Sequence, residues 1–154
     1  MRLRLIAVGG KMPDWVTAGC QDYARRLPAE LRVELLELPL GVRGKGQGVQ
    51  RAMDTEAAAI LKAVAADRVV ALDVRGQPWT TADLAGQLRH WQAAGANYSL
   101  LVGGPDGLSA LCLERAEARW SLSPLTLPHA LVRVVVIEQL YRAWSFNAGH
   151  PYHR

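Results

Sequence analysis

Short apolar runs alternate along this chain with longer stretches in which apolar residues recur every three or four positions, a pattern that predicts strands separated by helices. Residues 2–8 alternate and are rich in Leu, Ile and Val, which predicts a strand closed by Gly9 and Gly10. Pro13 suits the first turn of a following helix, in which Trp15, Val16, Ala18, Gly19, Tyr23 and Leu27 keep helical spacing until Pro28 stops it. Residues 31–38 alternate again as a strand ending at Pro39, and the Ala-rich residues 49–66 predict a helix. The run at residues 68–73 does not alternate and reads as a buried strand. Thr80 or Thr81 can cap a helix carrying Leu84, Leu88 and Trp91, with Gly95 as its stop. Residues 99–102 form another apolar strand, Ser109 caps a short helix containing Cys112 and Ala116, and residues 119–122 supply one more strand.

Residues 131–144 are ambiguous by propensity, because Val132, Val134, Val135, Val136 and Ile137 are all β-branched. Length and the spacing of Leu131, Val135, Tyr141 and Trp144 favour a helix. It is apolar on nearly every face, so it belongs at the centre of the core or against a second copy of the chain. Strands alternating with helices imply an α/β fold with a mostly parallel sheet, whose ligands gather at the carboxyl ends of strands. Asp73, residues 103–107 and residues 123–127 all follow predicted strands, so three loops converge on one edge.

The length of 154 residues fits a single domain, residues 1–154, large enough to bury a core. Half the residues are apolar and 21% are charged, the balance of an ordinary soluble globular protein. A net charge of +4 makes an anionic partner plausible without requiring one. The opening apolar run is too short for a secretory signal or a membrane span, which leads us to expect a cytosolic protein. Cys20 and Cys112 lack metal-ligand spacing and read as buried free thiols.

Candidate chemistry concentrates in the last third. Gly103 and Gly104 allow close backbone approach to a ligand, although a tight strand-to-helix turn would use them equally well. Asp106 can accept a hydrogen bond from a ligand amine or form an Asx turn. Residues 122–127 offer an apolar wall, two hydroxyls and backbone groups, which suits an adenine ring better than a triphosphate. His129 follows Pro128 where the long helix begins, and Arg133, one turn on, needs either Glu138 or an external phosphate or base as partner. Tyr152, His153 and Arg154 combine a stacking ring with donors, the means by which unpaired RNA bases are commonly held. The glycine-rich basic stretch at residues 41–48 fails the Walker and Rossmann patterns, because Gly44-Lys45 is followed by glycine; it reads as a solvated linker or as a basic loop meeting an RNA backbone.

With GGPDGL at residues 103–108, SLSPLTLPHALVRVVVIEQLYRAW at residues 121–144, HPYHR at residues 150–154 and MPDW at residues 12–15, the chain resembles, over its whole length, the ribosomal RNA large-subunit methyltransferase H family. That family falls within the SPOUT class of S-adenosylmethionine-dependent methyltransferases. The resemblance implies an α/β fold with a carboxyl-terminal trefoil knot, a homodimer packed through the terminal helix, and no metal or membrane partner. It also implies methylation at N3 of a pseudouridine in a stem-loop of 23S rRNA on the assembled ribosome. Carried over residue by residue, it places S-adenosylmethionine against Leu72, Gly103, Leu122, Ser123, Pro124, Leu125, Thr126 and Leu127. It assigns catalytic roles to His129, Arg133 and Arg154, and RNA contacts to Tyr152, His153 and Arg154. Pro124 has no N–H, so a backbone donation required at that position would be lost. Two rival classes are a non-enzymatic ribosome-binding factor using the basic loop and tail, and a nucleotide hydrolase, which would need a metal-carboxylate cluster that the sequence does not display.

Overall fold

The computed structural model describes residues 1–44, 46 and 48–154. In chain order the elements are β1 (Arg2–Val8), α1 (Asp14–Ala24), β2 (Arg32–Leu38), α2 (Val49–Val64), β3 (Arg68–Pro78), α3 (Thr81–Ala94), β4 (Tyr98–Val102), α4 (Ala110–Arg115), β5 (Ala118–Ser121) and α5 (His129–Ala148). A 3-10 turn at Pro151–His153 follows. The five strands form one parallel sheet in the order β2-β1-β4-β3-β5.

Successive strand residues face opposite sides of a sheet, and here each side has its own helical cover. Leu3, Leu5, Ala7, Val70 and Leu100 pack with Val16 of α1, Leu88 and Trp91 of α3, and Val136, Ile137 and Leu140 of α5. Ile6, Val8, Val69 and Leu101 pack on the other side with Ala57, Ile60 and Val64 of α2 and Cys112 of α4. Both faces of β4 are therefore covered, and all five of its residues are buried. At the amino edge of the sheet Asp67, 7% exposed, accepts hydrogen bonds from Arg2, Arg4 and the Ser99 hydroxyl. That edge is closed by ion pairs.

Local chemistry sets the helix ends. Thr80 and Asp83 form a capping box: the Thr80 hydroxyl accepts from the Asp83 N–H, and the Asp83 carboxylate accepts from the Thr80 N–H, each at 3.0 Å. Gly95 ends α3 in the left-handed region at φ +67°. The β-branched run from Val132 to Ile137 is helical, because α5 lies against both α1 and α3 and tertiary packing outweighs propensity.

Several boundaries differ from the sequence reading. α1 stops at Ala24 and the chain turns before Pro28. β3 runs on to Pro78 rather than ending at Asp73, because its pairing with β5 breaks after Leu72 and resumes at Gln77. Gly76 makes that return possible, since a Cβ there would lie 2.7 Å from the Arg119 backbone. Lys45 and Gln47, in the basic stretch, lie outside the described residues. Both cysteines are free and buried, and burial raises both thiol pKa values. No helix among the described residues is long and apolar enough to cross a membrane.

Candidate active site

The middle of β3, where its pairing with β5 breaks after Leu72, and the carboxyl ends of β4 and β5 open onto a cavity of about 320 Å³, closed on one side by the first turn of α5. Leu72 and Asp73 come from β3, Trp120 from β5, and His129 and Val132 from α5. Two loops complete the wall: Gly103, Gly104, Pro105 and Gly107 after β4, and Leu122, Ser123, Leu125, Thr126 and Leu127 after β5. The lining is thus mostly apolar side chains and backbone, the usual make-up of a pocket for a small organic ligand.

The first of these loops is built from backbone. The Gly107 N–H donates to the Gly104 carbonyl at 3.0 Å, and Gly107 has φ +80°. A Cβ on Gly103 would meet the Gly107 carbonyl carbon at 2.4 Å, so no other residue fits without moving main chain. In the second loop the Ser123 hydroxyl accepts from the Leu125 N–H at 2.9 Å, which turns the chain and leaves Leu125 largely exposed. Pro128 then occupies the cap position of α5 without any side-chain cap. The N–H groups in the first turn of α5 are left without helical acceptors beside the cavity.

Seven of the eight residues expected around the cofactor line this cavity; Pro124 does not. Its missing N–H consequently removes no donor from the lining. His129 is on the cavity wall. Sequence reasoning did not single out Trp120 or Val132, which complete the apolar surface and carry no signal beyond their place in a strand and a helix.

Arg133 lies elsewhere. It is 0% exposed, its Nη1 donates to Glu37 at 2.5 Å and to the Gly10 carbonyl at 3.3 Å, and it does not line the cavity. Of the two partners the sequence offered, Glu138 or an external phosphate or base, the internal one is Glu37 instead of Glu138, and the guanidinium bridges α5 to β2 and the loop after β1. Gly9 allows this approach, since a Cβ there would lie 2.9 Å from Arg133 Nη2. Asp106, read in the sequence as either a ligand contact or an Asx turn, is absent from the cavity lining, and its Oδ2 accepts from Arg43 Nε at 3.0 Å.

The terminal residues form a separate cluster. The Tyr152 hydroxyl donates to Glu138 Oε1 at 2.9 Å, and Arg142 donates to the same oxygen at 2.7 and 3.0 Å. The Arg142 guanidinium sits 5.0 Å from the Tyr152 ring centroid, and Tyr141 meets that ring edge-on at 4.5 Å. Burial, reinforced by the hydrogen bond to Glu138, raises the Tyr152 pKa well above the ordinary phenol value. His153 packs edge-on to Phe146 at 5.2 Å, and Arg154 is exposed. None of Tyr152, His153 and Arg154 lines the cavity of its own chain. Glu138, where Tyr152 is tied, is roughly 13 Å along α5 from His129 at the usual helical rise.

Among the described residues no group of three His, Cys, Asp or Glu side chains is placed to hold a metal ion. Residues 1–153 match the family described as "Predicted SPOUT methyltransferase". The "Ribosomal RNA large subunit methyltransferase H" of Alkalilimnicola ehrlichii is 58% identical over 154 residues, covering 100% of this chain and 99% of that protein. Among solved structures, a probable methyltransferase from Bordetella pertussis Tohama I superposes with a TM-score of 0.57 at 18% identity, covering 92% of this chain and 95% of that one. A probable methylase family protein from Haemophilus influenzae Rd KW20 gives a TM-score of 0.58 at 14% identity, covering 96% of this chain and 67% of that one. At such low identities these two likenesses speak for the fold alone, but the full-length family match and the 58% identical relative carry more: this chain belongs to the SPOUT methyltransferase family.

Proposed function

We propose that this protein transfers the methyl group of S-adenosylmethionine to N3 of a pseudouridine in a stem-loop of 23S large-subunit rRNA, on assembled ribosomes in the cytoplasm, and that it works as a homodimer. The observation that carries this reading is the apolar, glycine-lipped cavity beside the ends of β4 and β5, in a chain 58% identical along its length to a ribosomal RNA large-subunit methyltransferase H.

The residues present fit such a cofactor. Leu72, Trp120, Leu122 and Leu127 exclude water from an adenine ring, and the main chain of residues 122–127 offers donors and acceptors to its edge. Glycine at 103 and 104 lets the loop pack tightly on the protein itself, since a Cβ would meet the Gly107 main chain at 103 and Glu56 and Leu40 at 104. When bound, S-adenosylmethionine supplies an electrophilic methyl group on a sulfonium.

The protein's part is to hold donor and acceptor in line and to manage the proton on the acceptor nitrogen. His129, on the cavity wall, is the proposed proton acceptor. The free N–H groups at the start of α5 present the positive end of a 20-residue helix to the negative charge that develops on the base. Tyr152, His153 and Arg154 are the proposed RNA contacts, with Arg154 also a candidate to stabilise that charge.

A tail held away from its own cavity favours a second copy as the source of these groups. Large apolar side chains left exposed on α1, α5 and the loop after β5 support such a pairing: Trp15 is 56%, Leu131 43% and Leu125 73% exposed. In the same reading the carboxyl-terminal segment is threaded as a trefoil knot around the cofactor.

The test is transfer of labelled methyl from S-adenosylmethionine to assembled ribosomes lacking the modification, with the label mapped to a nucleotide. Label on N3 of a single pseudouridine supports the whole reading. Cofactor binding without transfer would remove the proposed substrate. Neither binding nor transfer would leave a non-enzymatic ribosome-binding factor.

A further inference from the structure

The cavity loop at residues 103–107 consists of three glycines, a proline and one charged residue, Asp106. Its internal ties are few, and its charged side chain is turned outward to Arg43. We propose that Arg43 is a positioning residue for the cofactor cavity, fixing the Gly103–Gly107 wall through Asp106; this deepens the function proposed above and rests on it.

Arg43 is anchored firmly at its other end. Its Nη1 donates to Glu56 Oε2 at 2.6 Å and to the Gly41 carbonyl at 3.1 Å, while Nη2 reaches Glu56 Oε1 at 3.3 Å. Glu56, on α2, is only 4% exposed, and its Oε2 also accepts from the Gly41 N–H at 2.9 Å. The same carboxylate packs against the cavity loop, because a Cβ on Gly104 would lie 3.2 Å from Glu56 Oε1. One guanidinium thus joins a buried carboxylate behind the wall to a carboxylate carried by the wall.

Only a planar fork does this. Arginine directs two N–H groups to Glu56 and keeps Nε for Asp106, whereas lysine, a point charge on a flexible stem, neutralises Glu56 and leaves Asp106 untied. The wall then loses the arrangement it has before the ligand arrives, and binding must supply the ordering. The consequence falls on affinity for the methyl donor rather than on the chemical step.

Binding of S-adenosylmethionine is measured by calorimetry on the full chain, alongside KM, kcat and thermal midpoint, for wild type, Arg43→Lys, Asp106→Ala and the double variant. Asp106 is 37% exposed, so its removal leaves the core intact. Each single variant is expected to raise Kd and KM about 2- to 5-fold, the range for a partly exposed ion pair, with kcat at saturation and thermal midpoint retained. The double variant is expected to be no worse than either single one, since both cut the same link. Unchanged Kd in either single variant, or additive losses in the double, overturns the inference and leaves the proposed function standing. Failure of the wild type to bind S-adenosylmethionine overturns both.

Discussion

The two ends of α5 carry chemistry of opposite construction. At its start the cavity is made of glycine main chain and apolar walls, beside a helix end with no side-chain cap. From its midpoint onward Tyr152, Glu138 and Arg142 satisfy one another, and the ring of Tyr152 is covered by Tyr141 and Arg142. A cavity built from backbone takes its shape within one chain, because the sheet fixes it. A site built from polar side chains closes on itself until a partner offers something better, so the two ends should fail differently when altered.

The largest effect is expected at the backbone-built end. Gly103→Val forces a side chain into the Gly107 main chain, whose carbonyl carbon lies 2.4 Å from a Cβ on residue 103. Cofactor binding and transfer should fall together by at least about 10²-fold, the scale on which misplacing a reactive site is felt. Calorimetry with S-adenosylmethionine beside the transfer assay checks this. Normal affinity in the variant would mean that the loop can shift without harm and is not the wall we describe.

How much of this could be read from sequence follows the same division. The strands, the capped helices and the loops at residues 103–107 and 122–127 were legible because alternation, capping residues and glycines are local signals. The continuation of β3 past Asp73 was not, since it depends on Gly76 meeting Arg119 of another strand. The internal partner of Arg133 is hidden for a similar reason. Nearness in sequence offers Glu138, but the partner that reaches Arg133 is Glu37, on an edge strand far away in sequence. The Arg43 link to Glu56 and Asp106 left no trace, because three segments meet there only after folding.

Arg133 therefore separates a structural cation from a chemical one. Truncation to alanine leaves the buried space empty and Glu37 without its partner, a loss of about 3 to 5 kcal/mol for a broken buried pair. Glu37 is one-third exposed, which puts the expectation at the lower end of that range. Arg133→Met fills the space and should recover most of the stability while retaining transfer. Denaturant unfolding and the transfer assay decide between the roles: a stable Arg133→Met protein without transfer would return this residue to the chemistry.

At the other end, Tyr152→Ala is expected to leave cofactor affinity unchanged and to lower transfer about 10²-fold, because it removes a proposed RNA contact without touching the cavity wall. Equal loss of affinity and transfer would erase the contrast between the two ends.

The smallest effect should appear only in alkali. Tyr152 is neutral when its hydroxyl donates to Glu138, and its folded pKa is raised above the unfolded phenol value of about 10. A raised folded pKa means that the unfolded chain loses this proton first. The stabilisation is therefore fully present below about pH 10 and is lost as pH climbs through the higher folded value. Tyrosinate absorbance of wild type minus Tyr152→Phe should show one phenol that stays protonated well above that pH. A difference spectrum titrating at the ordinary phenol pKa would mean that the tail is loose and its donors free, and the two ends of α5 would then differ in composition but not in how firmly they are held.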